Sequence, residues 1–241
     1  TTGVGYRRDH IPDDVIDGME NPYRILWDRR YSGQAGIYDD YREGICLGLM
    51  YDGVTDLNTG DDALISRATE RLKTLSDTMD IRIDTNGAYS GLPQGKFTVH
   101  QAWSGDMVAA WQYKSKGTPN TAFGYWFPST HKGPIANDLL VVPADAPHPV
   151  LAHTFLNYLL DPKVALKNFG WNGYQPPQNS ADPSTLTTTK SAFGEPYVFP
   201  TMSRAVVQQE DFKEGYLELE LAPHVDDRWH DAWQEFLAGA G

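Results

Sequence analysis

The 241-residue sequence contains a single cysteine, Cys46. One cysteine forms no internal disulfide, and it does not supply the several thiolates of a cysteine-based metal cluster. This composition fits a reducing cytosol, and it also fits an exported bacterial protein that folds without disulfides. Because Cys46 lies in an apolar segment one helical turn from Glu43, we expect a buried small hydrophobic residue and not a reactive thiol.

The sequence also lacks a long hydrophobic run and an excess of basic residues. No apolar stretch approaches the roughly 20 residues that a membrane-spanning helix needs. Lysine and arginine number 20 against 32 aspartates and glutamates, so the formal net charge is −12. A surface of that sign repels nucleic acids and anionic membranes, whereas it attracts cationic ligands.

The sequence begins Thr-Thr-Gly-Val-Gly, without an initiating methionine, a basic segment or an apolar leader. We therefore interpret it as a processed or truncated piece of a longer protein. The compartment in which that protein works has to be inferred from other features.

Short strand patterns alternate with helical ones along the chain, which predicts an α/β fold. Strands are expected at residues 3–6, 34–38, 96–103 and 138–142, the last of them an apolar run typical of a buried parallel strand. Apolar residues at helical spacing predict helices at residues 41–51, 61–79, 104–114, 150–160, 163–169 and 226–237. A loop is expected from residue 170 to about residue 195, where proline, serine, threonine and asparagine are frequent.

Acidic residues lie beside aromatic ones at the predicted strand-to-helix junctions. Asp40 and Glu43 stand at the first junction, Trp103 and Asp106 stand at the second, and Asp138 opens the apolar run. In open α/β sheets, ligands bind at the carboxyl ends of strands, where helix amino termini point. These five residues are therefore candidates for binding a ligand.

Each candidate also has a purely structural interpretation. Asp40 and Asp106 could cap helices, and Glu43 could be a surface charge in a first helical turn. Trp103 could belong to the core and Asp138 to a turn. Local sequence alone leaves both interpretations open for every one of them.

Four segments, taken together and in order, carry a resemblance to a known family. They are Ile37-Tyr-Asp-Asp-Tyr-Arg-Glu43, Gln101-Ala-Trp-Ser-Gly-Asp106, Asn137-Asp-Leu-Leu-Val-Val-Pro143-Ala and Phe155-Leu-Asn-Tyr-Leu-Leu-Asp-Pro162. Their order and spacing resemble the spermidine/putrescine-type substrate-binding proteins of bacterial ABC importers. The resemblance extends over approximately residues 1–185.

The resemblance implies a two-lobe periplasmic-binding-protein fold of the two-crossover type (type II), which closes over its ligand. We expect the first part of lobe one to be missing from this sequence. Residues 1–135 would form lobe two, with a hinge strand at their start. Residues 136–207 would form the returning part of lobe one, and residues 208–241 would cross back to lobe two.

The resemblance also implies roles for particular residues. In the family, the acids that match Asp40 and Glu43 meet ammonium groups of the ligand. The tryptophan that matches Trp103 packs on the methylene chain between those groups. This arrangement follows the chemistry of a polyamine, which alternates positive charges with apolar carbon.

Three further residues complete the implied site. The acids that match Asp106 and Asp138 bind an amino head, and Tyr174 resembles a further pocket tyrosine. Ala136 and Asn137, by contrast, stand where close relatives have bulky aromatic residues before the aspartate. Because that change removes part of an aromatic box, a diamine or another amine is an alternative to spermidine as the ligand.

We therefore predict a non-catalytic, extracytoplasmic protein, without metal or cofactor, that delivers a small amine to the membrane permease of an ABC transporter. It would be made with a signal peptide and work in the periplasm or otherwise outside the cytoplasm, with a lipid anchor on the full-length protein as an alternative. No nucleic acid and no membrane insertion of this part are expected.

Two other classes of function are weighed against this one. Seven tryptophans and thirteen tyrosines also suit a carbohydrate-binding or adhesive surface module. Sugar sites, however, favour amide and hydroxyl partners over several acids. A hydrolase is the weaker alternative, because Ser104 lacks the Gly-x-Ser-x-Gly context and the seven histidines contain no His-Glu-x-x-His pair.

Overall fold

The computed structural model describes residues 1–178 and 183–240. Its strands are β1 (Thr2–Arg7), β2 (Ala35–Ile37), β3 (Arg82–Ile83), β4 (Val99–Trp103), β5 (Phe123–Trp126), β6 (Pro134–Ile135) and β7 (Tyr216–Leu217). Its α-helices are α1 (Asp13–Asp17), α2 (Tyr41–Tyr51), α3 (Asp62–Met79), α4 (Ser104–Ala109), α5 (Pro149–Leu159), α6 (Pro162–Asn172), α7 (Pro183–Thr188), α8 (Gln209–Glu214) and α9 (Pro223–Gly239). Among these helices, none has both the length and the apolar composition that crossing a bilayer requires.

Five strands form one mixed sheet in the order β3-β2-β4-β1-β5. Strand β2 runs parallel to β3 and β4, whereas β1 is antiparallel to β4 and β5. Thr2 therefore lies opposite Trp103, so the start of β1 and the carboxyl end of β4 meet at one edge of the sheet. Strands β6 and β7 form a separate parallel pair.

Two hydrophobic clusters hold these elements together. In the larger one, α2, α3 and α9 pack on one another through residues such as Leu47, Leu72 and Trp233. In the second, Phe123 of β5 and Met107 of α4 belong to the same cluster as residues of α6 and of the 3-10 helix Pro200–Ala205. Because both clusters reach the sheet, they fix the edge at which Thr2 and Trp103 meet.

Several helix predictions are confirmed in detail. Helix α2 has the predicted bounds, and Asp40 caps it by accepting a hydrogen bond from the backbone N–H of Glu43 at 3.0 Å. Helix α3 starts one residue later than predicted because Asp61 is its cap, accepting from the backbone N–H groups of residues 63 and 64. Cys46 is fully buried, as expected, and burial raises the pKa of its thiol well above the usual value.

The predicted buried strand at residues 138–142 is wrong. Leu139, Leu140 and Val141 are 71–78% exposed, and the segment has no strand structure. An apolar run becomes a buried strand only where neighbouring strands and helices cover it. Neither sheet of the described chain places a strand beside this segment.

The predicted loop after residue 170 is wrong in part. Helix α6 continues to Asn172 and ends on Gly173, which has the left-handed φ of 78° that favours glycine at a helix end. A short helix, α7, follows at Pro183–Thr188, with proline at its first position. Residues 179–182 lie outside the described residues.

Candidate functional site

The candidate site is built at the edge of the main sheet where β2 and β4 end. Strand β2 leads through Tyr38 to the amino terminus of α2, and β4 leads directly into α4. Because β2 and β4 are parallel neighbours, their carboxyl ends lie side by side. This topology brings Glu43 of α2 against Trp103, 60 positions later in the sequence.

Glu43 is a buried residue of this edge, with 6% of its surface exposed. Its Oε1 accepts a hydrogen bond from the hydroxyl of Thr2 at 2.8 Å, and it also accepts one from the indole N–H of Trp103. Its Oε2 accepts from the side-chain amide of Gln101 at 3.1 Å. The interpretation of Glu43 as a surface charge is therefore wrong.

The environment of Glu43 disfavours its ionised form. Burial, followed by the nearby carboxyl of Glu218, raises the pKa of Glu43 to about 8, although the hydrogen bonds from Trp103 and Thr2 act in the opposite direction. The pKa of Glu218 is raised as well, first by its own burial, while Arg42 counteracts the shift. A cation placed between these carboxyls would favour their ionised forms.

Asp40 combines the two interpretations that the sequence leaves open. One of its oxygens caps α2, so the structural interpretation is confirmed. Its charge also contributes to raising the pKa values of both Glu43 and Glu218, which places the three acids close together. The amino terminus of α2 is therefore the acidic part of the candidate site.

Trp103 and Asp106 belong to a compact aromatic network. The rings of Trp103 and Tyr38 stack with 4.0 Å between centroids and 17° between planes. Asp106 accepts hydrogen bonds from the phenols of Tyr38 and Tyr174, both at 2.8 Å. Burial raises the pKa of Asp106, and the two phenol bonds oppose that shift. Asp106 is the third residue of α4 and not its cap.

Two glycines allow Tyr174 to reach this network. A Cβ on Gly105 would lie 2.7 Å from the ring of Tyr174, and a Cβ on Gly173 would lie 2.0 Å from the carbonyl oxygen of Gly105. Side chains at either position would push α6 away from α4. The close approach of these two helices thus sets Tyr174 over the start of α4.

Asp138 stands apart from the other predicted residues. It is exposed, and it makes no hydrogen bond or ion pair with any described residue. Its charge contributes to raising the pKa of Tyr174, so it lies on the same side of the molecule. The structure therefore brings Asp40 and Glu43 together, and Trp103, Asp106 and Tyr174 together beside them, but leaves Asp138 at their periphery.

Sequence reasoning missed several members of the site. Gln101 could have been predicted from the sequence, because the alternation of side chains along β4 places it on the same face of the sheet as Trp103. Tyr38 lies between a strand and a helix, where no periodicity marks it. Glu218 follows β7, far along the chain, and no local pattern connects it with Glu43.

A cavity of about 560 Å³ lies elsewhere, between the end of α2 and the chain that follows β5. Tyr23, Trp126 and Tyr216 are among the residues that line it, and none of the six predicted ligand-binding residues does. Its walls contain acids and bases together, Glu20 and Lys132 among them. The acidic and aromatic cluster, and not this cavity, has the chemistry that the sequence predicts.

Comparisons with known proteins agree with this architecture. A family model described as "Bacterial extracellular solute-binding protein" matches residues 1–194. The spermidine/putrescine-binding periplasmic protein 1 of Haemophilus influenzae is 30% identical over 143 residues, which are 59% of this chain. The chain spans only 37% of the length of that relative.

Solved structures show the same fold. A putative spermidine/putrescine ABC transporter from Listeria monocytogenes has a TM-score of 0.71 and 20% identity, with 98% of this chain and 66% of that chain covered. The substrate-binding protein PotD from Streptococcus pneumoniae has a TM-score of 0.69 and 18% identity, with 100% of this chain and 67% of that chain covered. The TpPotD lipoprotein of Treponema pallidum has a TM-score of 0.68 and 16% identity, with 98% of this chain and 66% of that chain covered. The predicted α/β periplasmic-binding-protein fold is confirmed, and the chain spans about two thirds of these structures.

Proposed function

The chain belongs to the bacterial extracellular solute-binding proteins, and on that premise we propose that it captures a small cationic amine for an ABC importer. One observation carries the proposal: Glu43, with Asp40 and Glu218 beside it, meets the ring of Trp103, which Tyr38 stacks against from inside the protein, at a single edge of the sheet. Carboxyls attract ammonium groups, and the flat ring of Trp103 would cover the methylene chain between them.

The expected magnitudes are sufficient for such a function. A carboxylate and an ammonium 4 Å apart attract each other by about 4 kcal/mol near a protein surface, before the cost of desolvation is subtracted. A contact between a cation and an aromatic ring adds roughly 0.5–2 kcal/mol. A few such contacts reach the approximately −8 kcal/mol of micromolar binding.

The ligand class that we propose is a polyamine or a related small amine. The names of the relatives from Haemophilus influenzae and Listeria monocytogenes both refer to spermidine and putrescine. A first ammonium group would bind at the partly exposed Asp40, with the buried carboxyl of Glu43 behind it. Tyr174 and Asp138 would lie toward the opposite end, with Asp106 buried behind Tyr174. Ala136 is exposed and stands two residues before Asp138, where the resemblance implies a bulky aromatic residue.

We also propose the two-lobe organisation expected from the resemblance. Residues 1–135 form lobe two, residues 136–207 return to lobe one, and residues 208–241 cross back. Support for the last of these segments comes from α9, which packs on α2 and α3, and from the pairing of β7 with β6 of lobe two. The exposed apolar run at residues 139–141 suits a face of lobe one that is completed by the rest of a longer protein.

The mechanism that follows is closure and not catalysis. A ligand held by both lobes favours the closed state through its higher affinity for that state. The membrane permease then receives the ligand from the closed protein. We propose that this occurs in the periplasm or otherwise outside the cytoplasm, with a lipid anchor on the full-length protein as an alternative.

Titration calorimetry of the full-length protein that contains this chain tests the proposal. Putrescine, spermidine, agmatine and γ-aminobutyrate are the ligands, and a neutral sugar is the comparison for the carbohydrate-binding alternative. We expect Trp103→Ala and Asp138→Ala each to weaken binding of the preferred amine tenfold or more. Glu70→Ala, on the exposed side of α3, is the control and should leave affinity unchanged. Heat from the sugar but from no amine, or equal affinities for all variants, would contradict it.

A further inference from the structure

The phenol of Tyr38 has an unusual position beside Trp103. Tyr38 is fully buried, and its ring lies flat against the indole. Its hydroxyl accepts a hydrogen bond from the backbone N–H of Trp103 at 2.7 Å and donates one to Oδ2 of Asp106 at 2.8 Å. One side chain therefore fixes both the ring and the backbone of Trp103.

Asp106 connects that phenol to a second one. Its Oδ1 accepts a hydrogen bond from the hydroxyl of Tyr174, and its Oδ2 accepts from Tyr38. The two phenols come from distant parts of the chain, one after β2 and the other after α6. Only 8% of Asp106 is exposed. Each carboxyl oxygen is thus already engaged, in a place that is closed to solvent.

The exposure of the four residues divides them into two pairs. Tyr38 and Asp106 are buried, whereas Trp103 is partly exposed and Tyr174 is 39% exposed. A ligand arriving from solvent reaches the rings of Trp103 and Tyr174 without reaching the carboxyl and the phenol behind them. The buried pair can therefore hold the exposed pair in place, and the rings of the exposed pair are accessible to a ligand.

We propose that Tyr38 and Asp106 are positioning residues, which hold the rings of Trp103 and Tyr174 in the arrangement that binds the amine and do not touch the ligand themselves. This inference rests on the proposed function. It departs from the role that the family resemblance implies for Asp106, since that role gives its carboxyl to an amino head of the ligand.

A consequence for specificity follows from the same hydrogen bonds. The hydroxyls of Tyr38 and Tyr174 are both consumed by Asp106, so neither is directed at the ligand. What the aromatic network offers is ring surface, which suits methylene groups and cations. Ligands rich in hydroxyl groups would find few partners there, and we expect discrimination against them.

The test uses Tyr38→Phe, which keeps the ring and removes the hydroxyl. Tyr6→Phe is the matched control. The buried phenol of Tyr6 also donates a hydrogen bond to a carboxyl oxygen, Oδ1 of Asp13, at 2.8 Å, but it lies outside the candidate site. Amine affinity is measured by calorimetry on the full-length protein. We expect Tyr38→Phe to weaken binding about three- to tenfold and Tyr6→Phe to leave it unchanged.

A double-mutant cycle separates positioning from direct contact. If Tyr38 acts through Trp103, Tyr38→Phe has no further effect on affinity in a Trp103→Ala background. If Asp106 acts through the phenols, Asp106→Asn has little effect in a background that carries both Tyr38→Phe and Tyr174→Phe. A loss of affinity with Asp106→Asn that persists in that background would overturn the proposal, because it would show direct contact with the ligand.

A measurement without ligand keeps this inference distinguishable from the proposed function. The backbone amide of Trp103 is observed by ¹⁵N NMR, and its hydrogen exchange is compared between wild type and Tyr38→Phe. We expect faster exchange and a shifted resonance only in Tyr38→Phe and not in Tyr6→Phe. An unchanged amide would refute the positioning role even in a protein that binds amines. A changed amide in a protein that binds none would refute only the proposed function.

Discussion

Helices α2 and α5 are both eleven residues long and both rich in apolar side chains, yet they lie in opposite surroundings. In α2, every residue from Glu43 to Met50 is buried. In α5, no residue is buried, and Val150, Leu151 and Phe155 are 57–79% exposed. Apolar composition predicts that each segment is a helix, but it does not predict what covers the helix.

The neighbours of α2 explain the difference. A Cβ on Gly44 would lie 2.1 Å from the ring of Trp233, and a Cβ on Gly48 would lie 2.6 Å from the carbonyl oxygen of Ala68. The two glycines thus let α9 and α3 approach the backbone of α2. Helix α5 contains no glycine and packs beside α6, while Val150, Leu151 and Phe155 face away from the described part of the chain. Burial depends on a surface of matching shape and not on apolar composition alone.

The largest difference between the two helices should appear when one leucine is shortened in each. Leu47→Ala in α2 leaves a cavity in the core and should lower the free energy of unfolding by about 2–5 kcal/mol. Leu151→Ala in α5, where the side chain is 67% exposed, should change it by less than about 0.5 kcal/mol. Urea denaturation of both variants measures the two values. A comparable loss in both would mean that α5 is covered by another part of the protein.

The same contrast explains which parts of the fold the sequence predicts. The bounds of α2 and α3 depend on local caps, Asp40 and Asp61, and on apolar spacing, all of which are visible in the sequence. The exposure of residues 139–141 depends on which elements lie against them, and no local pattern contains that information. The predicted buried strand therefore failed although the apolar run itself is real.

The candidate site divides along the same line. The meeting of Glu43 with Trp103 follows from strand-to-helix topology, which the sequence indicates. The roles of Tyr38 and Glu218 depend on packing between distant segments, so the sequence alone does not reveal them. For Asp106 the residue was found, but its two phenol partners appear only in the structure.

The buried carboxyl of α2 predicts a pH dependence that α5, with no buried acid, does not share. Burial raises the pKa of Glu43 to about 8 from an ordinary value of 4.5. Its contribution to stability is complete below pH 4.5 and is lost as the pH rises through 8, because the folded protein holds the proton that the unfolded chain has released. Stability should therefore fall between pH 6.5 and 8, by at most about 1.4 kcal/mol per pH unit.

Glu43→Gln is the control for this pH dependence, since glutamine keeps the size of the side chain and does not titrate. Its unfolding free energy should be flatter between pH 6.5 and 8, because the largest shifted acid is gone while the contributions of Glu218 and Asp106 stay the same in both proteins. The window excludes most of the opposing effect of His100, whose pKa is lowered by burial to about 4, so that its contribution rises with pH up to about 6.5. An identical slope in wild type and variant would show that Glu43 is ionised in the folded protein.

The same carboxyl should make amine binding depend on pH. At pH 6.5 Glu43 is mostly protonated, and binding a cation requires its proton to leave. Affinity should rise between pH 6.5 and 8.5, while the amine, with a reference pKa of about 10.4, stays charged. Calorimetry in buffers of different ionisation enthalpy should detect proton release on binding at pH 7. Affinity independent of pH in this window would contradict an electrostatic interaction between the ligand's charge and ionised Glu43.

The smallest expected difference concerns the amino termini of the two helices. Asp40 caps α2 with a hydrogen bond to a backbone N–H, whereas His148 precedes α5 without any side-chain cap bond. Asp40→Ala should therefore cost about 1 kcal/mol of stability, and His148→Ala should cost almost nothing. The converse substitution His148→Asp supplies a cap that α5 lacks and should stabilise it slightly. If Asp40→Ala left stability unchanged, repulsion between Asp40 and the neighbouring acids would be offsetting the stabilisation by the cap. Added salt screens that repulsion, so the loss of stability in Asp40→Ala should then appear at high salt.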